Sequence, residues 1–438
     1  MGGTYDCVVV GARCAGSPLA AFLARAGKRV AVVDAATFPS DQPMSTHFIQ
    51  PYGMRILDEL GLGDRVREIA PPVNHFVNGV GDHVIDLVFP TGGSCPRRIE
   101  LDALLLEGAR EAGAEVRTKC KVVDVIKEGD RVCGVIVDHG GEHSEIRASV
   151  VVGADGRHST IAGLVGAEEY YGYDGPRCAY WAYFPRPASY ATDPSHHGAA
   201  IILHNDDDLR FVFPVNRDQL IIGMTFPNTD DVAAWKRDPE GKLIAAMCAH
   251  PVFAPLVEAT PLSKTIGLVK IRFFFRRAAG PGWALVGDAA LFKDPTPGLG
   301  ITDAFRDARA LAMAIIEGGD AALERYWRKR DVESLELFHF ARDLGEVNYN
   351  NPLNQLVFAK SKDSAALKQR FIEVIERQRS PYQAFTVGEI LRWTIGAMLR
   401  GRFNHLKPFF RAGKVAGFVK KELQERQRLA QRALSSGA

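Results

Sequence analysis

The stretch YDCVVVGARCAGSPLAAFLARAGKRVAVVD, residues 5–34, decides how this chain folds. Tyr5 to Val10 is a short, mostly apolar run of β-formers. Gly11 to Gly16 is a turn, and Ser17 to Ala26 is rich in Ala and Leu at helical spacing. A second β-run, Arg29 to Asp34, follows Gly27. This order predicts a βαβ unit in which Gly11 makes the tight turn and Gly16 lets the helix pack closely. The N–H groups at the helix start then face whatever anion lies in the turn.

Asp34 stands 23 residues after Gly11, near the ~20 at which a carboxylate meets the ribose hydroxyls of a bound dinucleotide. Gly11, Arg13, Cys14, Ala15, Gly16 and Asp34 are therefore the first candidate binding residues. Arg13 occupies the place of the usual second glycine. Its guanidinium either folds over a pyrophosphate or points from the turn to solvent.

Two further glycine-centred motifs come later. Ser149 to Val152 is an apolar β-run that leads into GADGRHST, residues 153–160, where Asp155 and Gly156 either approach the cofactor or cap the next helix. Trp283 to Val286 is another, and it leads into GDAALFKDPTPGLG, residues 287–300. The three motifs together resemble the FAD-binding set of the FAD-dependent monooxygenase superfamily, the aromatic hydroxylases and their relatives the geranylgeranyl reductases and flavin-dependent halogenases.

The resemblance implies an α/β fold. An FAD-binding Rossmann-like domain would be assembled from residues 1–74, 98–167 and 277–345. An inserted antiparallel β-sheet domain, residues 75–97 and 168–276, would roof the substrate pocket, and 346–438 would form a C-terminal helical region. It also implies that Gly287 and Asp288 meet the ribityl chain, and that Pro295, Gly298, Leu299 and Gly300 form the loop at the flavin edge. Pro295 and Gly298 are thus the catalytic candidates, and no protein nucleophile is expected. Arg98, before the expected helix Ala103 to Ala112, matches a family arginine on the flavin side or is a solvated helix-start residue. His47 is either a substrate-pocket residue or a structural histidine. The chain departs from the family pattern at Ala162, Leu291 and Thr302, where arginine, histidine and asparagine are usual.

Composition fits this reading. At 438 residues, with 46% hydrophobic and 24% charged residues, the chain can bury a large core. Seven cysteines, an odd number without a CxxC pair, argue against a disulfide framework or zinc site and for a cytoplasmic setting. The first β-run is not preceded by a leader pattern, and no uncharged apolar run reaches roughly 18 residues, so neither secretion nor membrane spanning is expected. The β-runs at Cys178 to Phe184, Ala199 to His204, Leu209 to Pro214, Gln219 to Phe226 and Thr265 to Phe275 predict strands of the inserted sheet. Their aromatics read first as core.

The net charge of +2 conceals an asymmetry. Residues 391–438 carry eleven Lys and Arg against Glu422 and Glu425, a net +9, so residues 1–390 carry −7. Two helices are expected there, Ile390 to Leu399 and Gly401 to Leu423. They either lie on an anionic membrane or gate an apolar substrate, or they pack on the acidic body. No nucleic-acid recognition module is present.

The expected activity is an FAD-dependent monooxygenase that uses NADH or NADPH and dioxygen. It would hydroxylate an aromatic or polycyclic small molecule through a flavin C4a-hydroperoxide. The alternative is an FAD-dependent reductase of an isoprenoid or quinone-like substrate. A non-enzymatic lipid or protein carrier would have no need of the intact GD loop. Halogenation is set aside because no two tryptophans stand in a W-x-W pair.

Overall fold

The computed structural model describes residues 4–435. Its first strand is Tyr5–Val10, and the helix after the glycine turn is Gly16–Arg25. The strand pairs in parallel with Val30–Val33 on one side and with Glu142–Gly153 on the other. Glu115–Arg117 and Trp283–Leu285 extend this parallel sheet at its two sides, and a hairpin, Lys121–Glu128 and Arg131–His139, runs on from Glu142–Gly153. Helix Gly16–Arg25 packs against Arg98–Glu111 and Gly300–Glu317. Its Leu19, Ala20 and Leu23 are buried in one core with Val8, Val9, Val32 and Phe305. Small and aliphatic side chains along this helix are what allow it so close to the sheet.

A second sheet runs Ile266–Leu268, Arg177–Pro185, Gln219–Pro227, Asp208–Val215, Ala200–Asn205, Val73–Val80, His83–Gly93. All its pairs are antiparallel except one: Ala200–Asn205 lies parallel to Val73–Val80, which brings the early hairpin onto the edge of the later strands. Side chains alternate across it. Cys178, Tyr180, Ala182 and Phe184 pack with Leu243 and Met247 on the outer face, and Ala179, Trp181 and Tyr183 pack with Phe76 and Phe213 on the inner one. Burial on both faces is why these strands read as continuous apolar runs.

Thr265 to Phe275 departs from expectation. It forms two strands instead of one. Ile266–Leu268 pairs with Ala179 to Trp181, whereas Arg272–Arg276 joins a small separate sheet with Glu169–Asp174 and Leu291–Phe292. The exposed Lys270 marks the crossing. An alternating apolar pattern specifies a strand but not which sheet receives it, so a change of sheet inside one run leaves no signal.

The C-terminal region is helical, with Pro352–Ser361, Ala365–Ile375, Val387–Met398 and Leu406–Ser435. The third begins earlier than expected because Thr386 and Glu389 form a capping box. The last packs along Asp320–Leu344. There Val419 is buried, Glu422 meets His339, and the Arg426 guanidinium lies 4.1 Å from the Phe275 ring centre. Of the two roles open to the tail, this helix takes the packed one. No helix among the described residues is long and apolar enough to cross a membrane.

Candidate active site

The C-terminal ends of the parallel strands open into a cleft of about 660 Å³ whose far wall is the inner face of the second sheet. Such a position, beyond the carboxyl ends of parallel strands, is where α/β sheets hold ligands. The turn Gly11–Gly16 sits at its floor. Gly11 N–H donates to Val33 O at 2.8 Å, and Ala12 N–H donates to Asp34 Oδ2 at 2.7 Å. The same carboxylate accepts from Ala36 N–H at 2.7 Å, so Asp34 ties turn to strand and still borders the cleft. Gly16 is required by a close approach: a Cβ there would lie 1.8 Å from the Gly11 carbonyl oxygen. Gly16 itself stays behind the wall, while Gly11, Arg13, Cys14 and Ala15 face the opening.

Arg13 borders the cleft, and its guanidinium is anchored by a carboxylate from a later helix. Its guanidinium donates to Asp102 Oδ2 at 2.7 Å and to Ser40 Oγ at 2.7 Å. Asp102, fully buried, also receives a fork from Arg98, Nε to Oδ1 and Nη2 to Oδ2, both at 3.0 Å, and the Cys14 thiol at 3.4 Å. One carboxylate thus orients three cleft residues. Burial pushes the Cys14 thiol well up, so it stays protonated. The i,i+4 fork also explains why the helix starts at Arg98, earlier than its apolar pattern suggests.

Asp155 accepts from the Ser159 hydroxyl and, at 3.1 Å, from Ile161 N–H. It therefore holds the start of helix Thr160–Leu164, whose N-cap is Ser159, while Asp155 and Gly156 also border the cleft. Both readings of Asp155 are compatible in one position.

The 287–300 loop closes the site. Asp288 lies exposed within the cleft, whose surrounding walls desolvate its carboxyl and push it up to about 6 against the opposing pull of Arg98, Lys293 and Arg157. Pro295 O accepts from Gly298 N–H at 2.8 Å, closing a turn in which Gly298 has φ +64°. Gln50, which carries no sequence signal, and Thr302, read in the sequence only as a departure from the family pattern, pin this turn. Gln50, fully buried, donates its Nε2–H to Pro297 O at 3.1 Å, and its backbone N–H donates to Thr302 Oγ1 at 3.0 Å. Thr302, where the family usually has asparagine, thus clips the loop to helix Pro51–Glu59. Leu299 is core, whereas Pro295, Gly298 and Gly300 border the cleft.

Beneath the loop lies a buried charge cluster that sequence reasoning missed. Asp303 pairs with Lys293 and Arg377, and Asp307 with Arg306. Burial holds the Lys293 ammonium well below its ordinary range. His47, by contrast, is fully buried against the Tyr183 hydroxyl, and its neighbours Thr46 and Phe48 are the residues that reach the cleft.

The arrangement fits FAD on observations of its own. Helices Gly16–Arg25 and Gly300–Glu317 both begin beside the cleft without a side-chain cap, so the positive ends of two helix dipoles converge there from two directions. One start can hold a pyrophosphate and the other an electron-rich ring edge. Residues 4–339 match the family described as the FAD binding domain. The chain belongs to that family. This flavoprotein is an FAD-dependent oxidoreductase. It is 29% identical over 346 residues to a menaquinone reductase of Mycolicibacterium smegmatis, covering 74% of this chain and 79% of the relative. It is 28% identical over 332 residues to the 6-methylpretetramide 4-monooxygenase of Streptomyces rimosus, covering 72% and 76%. In fold it is similar to the myxobacterial chondrochloren halogenase, with a TM-score of 0.71, 22% identity, and 99% and 98% of the two chains covered.

Proposed function

We propose that this flavoprotein is an NAD(P)H-using monooxygenase that hydroxylates an aromatic or polycyclic small molecule with dioxygen. The observation that carries the reading is the far wall of the cleft. Trp181, Phe211 and Phe213 on the inner face of the second sheet stand across from the Pro295 to Gly300 loop, with Ile202, Leu209 and Leu268 beside them. A flat apolar substrate held there lies against the flavin edge with water excluded.

Bound FAD supplies the electron transfer and oxygen activation. The chain's own tasks are positional. The start of Gly16–Arg25 would hold the pyrophosphate, with Asp34 toward the adenosine ribose and Asp288 toward the ribityl hydroxyls. The N–H groups at Gly300 and after it stabilise negative charge at the pyrimidine edge. The loop clipped by Gln50 and Thr302 keeps those N–H groups aimed. The nicotinamide visits transiently, since the sequence holds no second GxGxxG.

Asp288→Ala is expected to weaken FAD binding about tenfold or more, the worth of a hydrogen bond to a charged group, while Ala290→Ser stays near the parent. Fluorescence titration of apoprotein with FAD reads both. Equal affinities would remove Asp288 from the cofactor site.

A second reading, reduction of an isoprenoid or quinone-like substrate, is favoured by the likeness to menaquinone reductase. A substrate panel followed at once by NAD(P)H oxidation, oxygen uptake and product mass separates the two. The monooxygenase is expected to place one atom of labelled dioxygen in its product. Anaerobic saturation of a double bond selects the reductase, and hydrogen peroxide alone across the panel overturns both.

A further inference from the structure

Helix Val387–Met398 is built inside out. Its small side chains Thr394 and Ala397 are buried, each 1% exposed, whereas Val387, Leu391 and Ile395 are 73%, 42% and 47% exposed and Leu399, one residue past its end, is 84% exposed. A spacing of four places these aliphatic side chains in one stripe along the helix. Phe410, in the first turns of the last helix, is 63% exposed as well.

The charges nearby in sequence have one sign. Arg392, Arg400, Arg402, Lys407 and Lys414 are exposed, and no ion pair joins any of them to an acid among the described residues. Glu389, the acid of this helix, is held in a fork by Arg370 and in the capping box with Thr386. Arg411 is spent on Glu346. What remains is an apolar stripe flanked by unneutralised cations.

We propose that this face docks on a bilayer containing anionic phospholipid, with the stripe entering the headgroup and acyl boundary and the flanking cations on lipid phosphates. Charge complementarity selects this occupant over a second copy of the chain. A two-fold contact between copies would set the same stripe and the same basic flank against themselves. It also narrows the basic tail to its working part, because the later turns of Leu406–Ser435 are packed on the body along Val419, Glu422 and Arg426. The proposal rests on the chain's own surface and on neither catalytic reading.

The full-length flavoprotein is co-sedimented with vesicles of phosphatidylcholine alone and of phosphatidylcholine with phosphatidylglycerol, without substrate. Binding is expected to the second only, and to weaken as salt rises. Arg392→Gln and Arg400→Gln are each expected to lower the partition about fivefold. Leu391→Ser with Ile395→Ser and Leu399→Ser should abolish it. FAD content and thermal midpoint confirm that these surface variants remain folded. Equal sedimentation with both vesicles, none with either, or unchanged binding by the folded variants overturns the proposal. So does a dimer in light scattering that the serine variant dissolves while vesicles bind nothing, since the face then joins two copies.

Discussion

Asp102→Ala is expected to lower stability by about 3–5 kcal/mol, the cost of breaking a buried ion pair by removing one partner, and to release the flavin. Asp102 is fully buried and carries the side chains of Arg13, Arg98 and Cys14. Without it the Arg98 guanidinium, 11% exposed in its side chain, keeps its charge in a largely buried place with no carboxylate to pair with. Asp102→Asn preserves shape and one acceptor, so its loss should be smaller and its flavin partly retained. Urea unfolding of apoprotein, with FAD absorbance of the purified protein, reads both effects. A midpoint for Asp102→Ala equal to the parent's would show that this network does not hold the cleft together.

Gly16→Ala should yield protein that purifies without flavin. The new Cβ would sit 1.8 Å from the Gly11 carbonyl oxygen, and both groups belong to backbone fixed by the sheet. Either helix Gly16–Arg25 moves away or the turn opens. Overpacking of this kind costs about 1–3 kcal/mol, and either movement disturbs the turn proposed to receive the pyrophosphate. Gly163→Ala is the matched control, since nothing lies within 4 Å of its Cβ and its φ needs no glycine. It should bind FAD like the parent. If Gly16→Ala also keeps its flavin through purification, the close approach is not what the cofactor depends on.

The βαβ unit was legible in the sequence because its signals are local. Tyr5 to Val10 alternates nothing and needs only burial, and the glycines announce a turn whichever sheet receives it. Strand positions in the second sheet were legible for the same reason, from Cys178 to Phe184 through Gln219 to Phe226. Their order was not, because the parallel pairing of Ala200–Asn205 with Val73–Val80 joins segments more than a hundred residues apart. The residues that hold the site rigid fell into the same blind spot. Asp102 meets Arg13 across 89 positions and Gln50 meets Thr302 across 252. Lys293, read only as part of a loop, acquires its partner Asp303 from the helix that follows. Arg13 shows the limit most clearly. Its place in the glycine motif suggested only phosphate or solvent, while the partner it takes lies in a helix with no motif in common.

The two walls of the cleft are encoded apart. The floor comes from loops that follow parallel strands, and the aromatic wall comes from the separate sheet that carries Trp181, Phe211 and Phe213. Substitutions on such separate surfaces act nearly independently when they share no partner. A lineage can therefore exchange the residues that greet the substrate while inheriting the cofactor machinery unchanged. Laboratory selection for a new substrate has the same licence: diversity confined to the inner face of that sheet leaves the flavin grip intact in every variant that folds.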